Sequence, residues 1–318
     1  MPMLIRKFVI KKGADRGMTQ ILVKNKQTRH GETKLQKKYK IIYYIKLLIK
    51  SPTGLLGFII ILCFLFLGIG GEWVAPYDPY YSDLGKKLLP PLTEGHILGT
   101  DQLGRDLLSR IIYGTKVSLI IGLATVLFAG LIGTVVGIIA GFFRGWVDTV
   151  LMRIVDVQLS FPFILLVLVI SAVIGTGLRN IIISLVIAGW VIYARVVRSE
   201  VLALREKEFI LSCVATGVPR WEIIIKHIVP NLFTPIIILS SLQVATFIIS
   251  EASVSFLGFG VQPPQPAWGN MLSEGKDYIF SSWWLITFPG VAIVLVALGV
   301  NLFGDWLRDV LDPELKGK

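Results

Sequence analysis

The sequence predicts an all-α polytopic membrane protein with six transmembrane helices and both termini in the cytoplasm. Three observations carry this expectation. Of its 318 residues 54% are hydrophobic and only 17% charged, whereas a soluble domain carries about 25% charged residues. The apolar residues come in blocks close to the roughly 20 that a spanning helix needs, and mean hydropathy is +0.71. Lys and Arg also fall unevenly on alternate connecting segments, the pattern that fixes orientation in a membrane.

The chain opens on a basic tail, residues 1–50, with Arg6, Lys7, Lys11, Lys12, Arg16, Lys24, Lys26, Arg29, Lys34, Lys37, Lys38 and Lys40. The net charge of +11 is concentrated there. Its place before the first apolar block reads as a cytoplasmic flank and excludes a nucleic-acid partner. Ile41–Lys50, "IIYYIKLLIK", predicts an interfacial helix with Lys46 and Lys50 one turn apart at the headgroups. Met18 is an alternative start. The first span, Thr53–Val74, begins too late for a cleaved signal peptide and reads as a signal anchor. Ser51 and Pro52 suit its cap and first turn.

Residues 51–116 pair this span with a long external loop, Glu72–Lys116, rich in Trp73, Tyr77, Tyr80 and Tyr81. "GTDQLGRD" within it lacks the Gly-Lys-Ser/Thr ending of a phosphate loop. Thr100 or Asp101 is expected to cap a helix that lays Leu107, Leu108, Ile111 and Ile112 on the membrane surface. Arg105 and Asp106 can pair with each other or with an external partner.

A five-helix core, residues 117–308, follows. Its spans are Val117–Phe143, Leu159–Ile174, Asn180–Val197, Pro230–Ser250 and Trp284–Phe303. The Leu159–Ile174 span is short, with Phe161-Pro162 near its start. Between the second and third spans Arg144 lies four residues from Asp148, and Arg153 three from Asp156, spacings that let each pair meet on one helix. A second long external loop, Glu251–Trp283, carries "FGVQPPQPAWGN". Asp305, Arg308, Asp309 and Asp312 cluster after the last span, and residues 309–318 form a cytoplasmic tail. The inner segments hold Arg144, Arg153, Arg195, Arg198, Arg205, Lys207, Arg220, Lys226, Arg308, Lys316 and Lys318. The outer ones hold Lys86, Lys87, Arg105, Arg110, Lys116, Arg179 and Lys276.

The inner segment 204–229 is the most informative. Arg205–Thr216 predicts a short helix, and Gly217 suits the left-handed residue just past its end. Pro219 suits the first turn of a second helix through Trp221 and Ile225 to Ile228. Pro230 is expected to end that helix with a bend and open the fifth span. The result is an elbow with apolar side chains to bury, on lipid and its own loops or in a groove of a cytoplasmic partner.

The interiors of the proposed spans hold no Asp, Glu, Lys, Arg or His; Glu72 and Arg195 lie two residues from the ends of the first and fourth. Ion-coupled transporters place such groups at depth, so a stand-alone secondary transporter or channel is the more distant alternative. The polar candidates for lining a path are Ser118, Thr125, Thr134, Ser184, Ser240, Ser241, Gln243 and Thr246. Gly122, Gly130, Gly133, Gly137 and Gly141 mark span two for close helix packing. His30, His96 and His227 are scattered, and Cys63 and Cys213 give no disulfide or metal spacing. Nothing resembles a catalytic cluster, which disfavours a membrane-anchored enzyme.

The elbow resembles the cytoplasmic loop shared by membrane subunits of binding-protein-dependent ABC importers, with its Glu-Ala-Ala triplet, glycine and Ile-x-Leu-Pro ending. Gly217 matches the glycine, Ile228-Val229-Pro230 the ending, and Asn231 follows. The triplet reads Leu211-Ser212-Cys213, which keeps small residues at two places and lacks the acid. His96–Leu123, Gly145–Pro162, Glu251–Leu272 and Asn301–Pro313 resemble blocks of the second permease subunit of peptide and nickel importers, the oligopeptide/dipeptide permease family.

That resemblance implies an ABC type I importer membrane-subunit fold in the plasma (inner) membrane of a prokaryote. It implies a pore subunit that binds no cofactor, with ATP and Mg on two partner ATPases, a sister permease, an external solute-binding protein and a lipid bilayer around it. The ATPase-coupling residues would be Leu211, Ser212, Cys213, Val214, Gly217, Val218, Trp221, Ile228 and Pro230. The cargo it implies is a di- or oligopeptide, with nickel, glutathione or oligosaccharides as alternatives.

Overall fold

A computed structural model describes residues 44–311. The basic tail up to residue 43, Met18, Asp312 and the last residues lie outside the described part. Residues 44–50, within the expected interfacial helix, are helical and belong to a separate unit from the main body.

The body is helical. The principal helices are α1 (Pro52–Val74), α2 (Leu107–Phe143), α3 (Gly145–Leu159), α4 (Phe163–Ile174), α5 (Leu178–Arg205), α6 (Glu208–Ala215), α7 (Arg220–Ile223), α8 (Val229–Phe256), α9 (Trp268–Gly275) and α10 (Trp284–Leu311). Five helical stretches are long and apolar enough to cross a membrane, or six if α3 and α4 count as one span. All apolar blocks of the sequence therefore became helices, but the third is not the straight span Leu159–Ile174. Leu159 ends α3, the chain bends by 90°, and α4 has only 12 residues. At 1.5 Å per residue α4 reaches about 18 Å, short of the roughly 30 Å hydrocarbon core. Pro162 at the N-cap of α4 explains the break.

Alternation of the long helices gives the body two faces. The elbow face carries α3, α6 and α7. The loop face carries residues 75–106 and 257–283.

The deepest packing joins α2 to α5. Gly133, Gly137 and Gly141 recur every four residues and so share one side of α2. A Cβ on Gly133 would lie 2.3 Å from the Trp190 carbonyl oxygen, and one on Gly137 2.7 Å from that of Ala194. On Gly141 it would lie 2.8 Å from Val201 Cβ. These helices touch backbone to backbone, which is what small residues permit. Gly122 instead makes room on α2 for the Ile248 side chain of α8.

The loop face corrects two expectations. There is no separate surface helix capped by Thr100 or Asp101. Asp106 caps α2 through Ser109 N–H at 2.8 Å, and Leu107, Leu108, Ile111 and Ile112 begin that long helix. Arg105 and Asp106 do not pair; Asp106 bonds His96 at 2.9 Å. Arg105 instead bonds Asp101 at 2.6 Å and Glu274 at 2.9 Å. Arg110 reaches both carboxylates as well, Glu274 at 2.8 Å. Asp101 and Arg110 are each 1% exposed. Two guanidinium groups and two carboxylates thus clamp the loop 75–106, the start of α2 and α9 together, with Gln102 bonding Glu274 at 3.1 Å.

Burial works against ionisation of Glu274, but Arg110, Arg105 and Gln102 outweigh it and hold the carboxyl below its ordinary value of 4.5. A carboxylate held low in the folded state adds stability above the unfolded value and loses it as pH falls through the lower folded value. The melting temperature of the purified chain is therefore expected to be steady above about pH 5 and to fall below about pH 4.5. Glu274→Gln should reduce that acid step; an unchanged step would remove Glu274 as its source.

Candidate functional site

The elbow is the site that both charge pattern and shape single out. Its first helix is α6, Glu208–Ala215, rather than Arg205–Thr216, because α5 ends at Arg205 and a turn intervenes. The C-terminus of α6 closes as a Schellman motif. Gly217 N–H bonds the Val214 carbonyl at 3.1 Å and Val218 N–H the Cys213 carbonyl at 3.0 Å. Gly217 has φ +77°, with no atom within 4 Å of a built Cβ, so backbone conformation and not space selects glycine there.

The second half differs from expectation. No bend precedes Pro230. Arg220–Ile223 continues through a π-helical turn, Ile224–Ile228, into α8, and Arg220–Phe256 behaves as one helix. Val229 N–H bonds the carbonyl of Ile224, five residues back. A proline ring clashes with the carbonyl four residues before it in an α-helix. The wider π turn admits Pro230 without a break. His227, expected at a helix end, sits inside this continuous stretch with Nε2 3.8 Å from Cys213 Sγ.

The elbow has two sides. Ile210, Ile223 and Ile228 are buried and join Leu232 of α8, Ile138 and Phe142 of α2, and Val197, Val201 and Leu204 of α5. Leu211, Val214, Trp221 and Ile225 face outward, at 51%, 58%, 63% and 59% exposure. Of the remaining coupling candidates Ser212, Gly217 and Pro230 are exposed, and Cys213 and Val218 half-buried. Ile210 is among the apolar side chains that the sequence expected to be buried, whereas the anchor Ile223 was missed. Ile223 and Ile228 are five residues apart, outside the three-to-four spacing of an α-helical face, and the π turn brings both inward.

Around the elbow the charges pair between helices, not within α3 as expected. Arg144 bonds Glu206 at 2.5 Å, Arg195 bonds Asp156 at 2.5 Å, and Arg198 holds Asp148 through two bonds at 2.5 and 2.6 Å. Arg144 lies in the joint between α2 and α3 with φ +54°, so it cannot share a helical face with Asp148. Gln158 donates to the carbonyls of Ile187 and Ala188 at 2.8 and 3.0 Å, tying the end of α3 to α5.

The polar candidates for a path lie in different surroundings. Ser118, Thr125 and Ser184 are wholly enclosed by this chain's helices. Ser171 donates to Ser184, and Ser184 donates to the Asn180 carbonyl, each at 2.9 Å. Gln243 is buried, Ser240 accepts from Tyr193 at 3.3 Å, and Thr246 is exposed. Thr134 and Ser241 are half-buried. One ionisable group lies where none was expected. Glu251 falls inside α8, not in the following loop, and is fully buried. It accepts from Ser255 at 2.6 Å, and Ser255 in turn accepts from Val261 N–H at 3.2 Å. The clue was available: "EASVSF" continues the apolar rhythm of the span past Glu251.

Five long apolar helices, a bent pair and a two-sided elbow define the membrane subunit of a transporter. The chain belongs to the family of binding-protein-dependent transport system inner membrane components, whose pattern matches residues 133–317. Residues 45–91 match the N-terminal transmembrane domain of oligopeptide transport permease C. The probable D,D-dipeptide transport system permease protein DdpC of Escherichia coli is 37% identical over 92% of this chain and 95% of its own length. The dipeptide transport system permease protein DppC of Alkalihalophilus pseudofirmus is 41% identical over 85% of this chain and 89% of its own. Among solved structures, the inward-facing MetNI methionine ABC transporter matches with a TM-score of 0.54 and 19% identity. It covers 65% of this chain and 98% of the matched chain. At that identity the likeness concerns the fold, that of an ABC importer membrane subunit.

Proposed function

We propose that this chain is the pore subunit of an ATP-driven importer for di- or oligopeptides in a prokaryotic inner membrane. A sister permease completes the pore, two ATPases bind ATP and Mg, and an external solute-binding protein delivers cargo. The elbow face and both termini are cytoplasmic, in accord with the Lys/Arg distribution. The relatives' names support the peptide cargo. One observation carries the coupling role: the elbow offers Leu211, Val214, Trp221 and Ile225 outward while Ile210, Ile223 and Ile228 fix it to α2, α5 and α8.

The mechanism follows from that anchoring. A partner that grips the outward side and moves cannot shift the elbow without shifting the helix ends below it, because packed apolar cores resist local deformation. ATP-driven closure of the ATPases therefore pulls at the bend around Gly217. The bundle rocks, and access switches from outside to inside.

Affinity purification of the tagged chain in mild detergent, with mass spectrometry, should recover a second permease and one or two ATPases. A chain that purifies alone, where other ABC complexes survive, would revive a stand-alone transporter. Val214→Asp places a charge in an apolar contact and is expected to cut peptide uptake at least about tenfold with insertion unchanged. Uptake at the parental rate would remove the elbow from the mechanism.

A further inference from the structure

Beside the outward side of the elbow lies a cavity of about 370 Å³ between α6, α7 and the ends of α2 and α5. Phe142, Phe143, Val214 and Val218 give it apolar walls, and Arg205 and Arg220 give it two cations. No lining residue is acidic. Arg205 donates to the Phe142 carbonyl at 2.5 Å and its guanidinium stands 5.3 Å from the centre of the Phe142 ring. That fixes the side chain while leaving most of its N–H groups to offer. Neither arginine has an ion-pair partner among the described residues, whereas neighbouring Arg144, Arg195 and Arg198 each have one.

We infer that this cavity is a socket for a carboxylate-bearing side chain of the ATPase subunit, flanked there by an apolar residue. The inference rests on the proposed docking of the elbow against that subunit. Three features favour it. Guanidinium groups match a carboxylate with paired N–H donors. Phe142, Phe143, Val214 and Val218 stand beside the guanidinium groups and suit the apolar residue that flanks such a carboxylate. Val214 and Gly217 belong both to the socket lining and to the exposed elbow, so the mouth opens where the ATPase would sit. Docking is then reciprocal: apolar elbow side chains enter the ATPase, and an acidic knob of the ATPase enters the permease.

The test uses the complete complex with its sister permease and ATPases. A photo-cross-linking benzoylphenylalanine replaces Val214, and Arg220 is varied because its side chain is exposed and outside the buried anchors of the elbow. The expected result is cross-linking of position 214 to the ATPase. Arg220→Glu should then lower ATPase retention at least about tenfold, Arg220→Lys should keep most of it, and an acid-to-Lys change in the cross-linked ATPase segment should restore Arg220→Glu. If position 214 cross-links but Arg220→Glu retains the ATPase fully, the socket is overturned and the elbow reading stands. If position 214 never meets the ATPase, the elbow reading itself fails and takes the socket with it. If Arg220→Glu keeps the ATPase but strips bound phosphatidylglycerol, seen by native mass spectrometry, the cavity holds a lipid headgroup and the inference is wrong.

Discussion

Asp101→Ala is expected to destabilise the purified chain by about 3–5 kcal/mol, the usual cost of removing one partner from a buried charge pair. Its carboxylate bonds Arg105 and Arg110, whose side chains are only 6% and 1% exposed. Without it two guanidinium groups share Glu274 alone, and one buried positive charge is left uncompensated. The loss is felt across the loop face, since Trp284 donates to the Thr100 carbonyl at 3.2 Å, next to the lost residue. Thermal unfolding followed by the intrinsic fluorescence of the chain's eight tryptophans, Trp284 among them, is therefore a suitable readout. Lys86→Ala is the contrast. Its 3.8 Å pair with Glu94 is exposed on both sides and is worth about 0–1 kcal/mol. A drop for Asp101→Ala no larger than that for Lys86→Ala would show that the clamp contributes little.

Helix positions were legible in the sequence because lipid demands long apolar runs, and each run became a helix. Their ends were less so. The start of α2 was set ten residues late, since Arg110 and Lys116 read as loop; Arg110 is tolerated because Asp101 and Glu274 neutralise it. Glu251 was placed in a loop for the same reason, its charge type outweighing the apolar rhythm around it. The bend at Gly217 was readable from glycine chemistry alone. The continuity through Pro230 was not, because a proline marks a break unless a π turn absorbs it. The charge pairs around α3 were mispaired because sequence spacing reports only neighbours on one helix, and Asp148 and Asp156 turn toward α5. The outward side of the elbow was legible as a class of residue, but the anchor Ile223 required the fold.

Gly133→Leu should prevent the chain from reaching its folded state, and the sign of the smaller change Gly133→Ala shows why. In a helix interior alanine is favoured over glycine by about 0.8–1.0 kcal/mol. Where there is room the change should stabilise: at Gly70 the nearest atoms to a built Cβ are 3.9 Å away. At Gly133 the same methyl meets the Trp190 carbonyl oxygen at 2.3 Å and Tyr193 Cβ at 2.5 Å, atoms that cannot rotate aside. Helices α2 and α5 must then separate, and Gly137 and Gly141 lose their contacts with Ala194 and Val201 together. Overpacking of this kind costs about 1–3 kcal/mol for small insertions and more for a whole side chain. Gly70→Ala is thus expected to raise the melting temperature in detergent and Gly133→Ala to lower it, with Gly133→Leu yielding little folded protein. The elbow is fixed to the same two helices through Phe142, Val197 and Val201, so a tolerated Gly133→Ala variant should also lose uptake. Equal melting temperatures for Gly70→Ala and Gly133→Ala would mean that the glycine stripe does not hold α2 and α5 together.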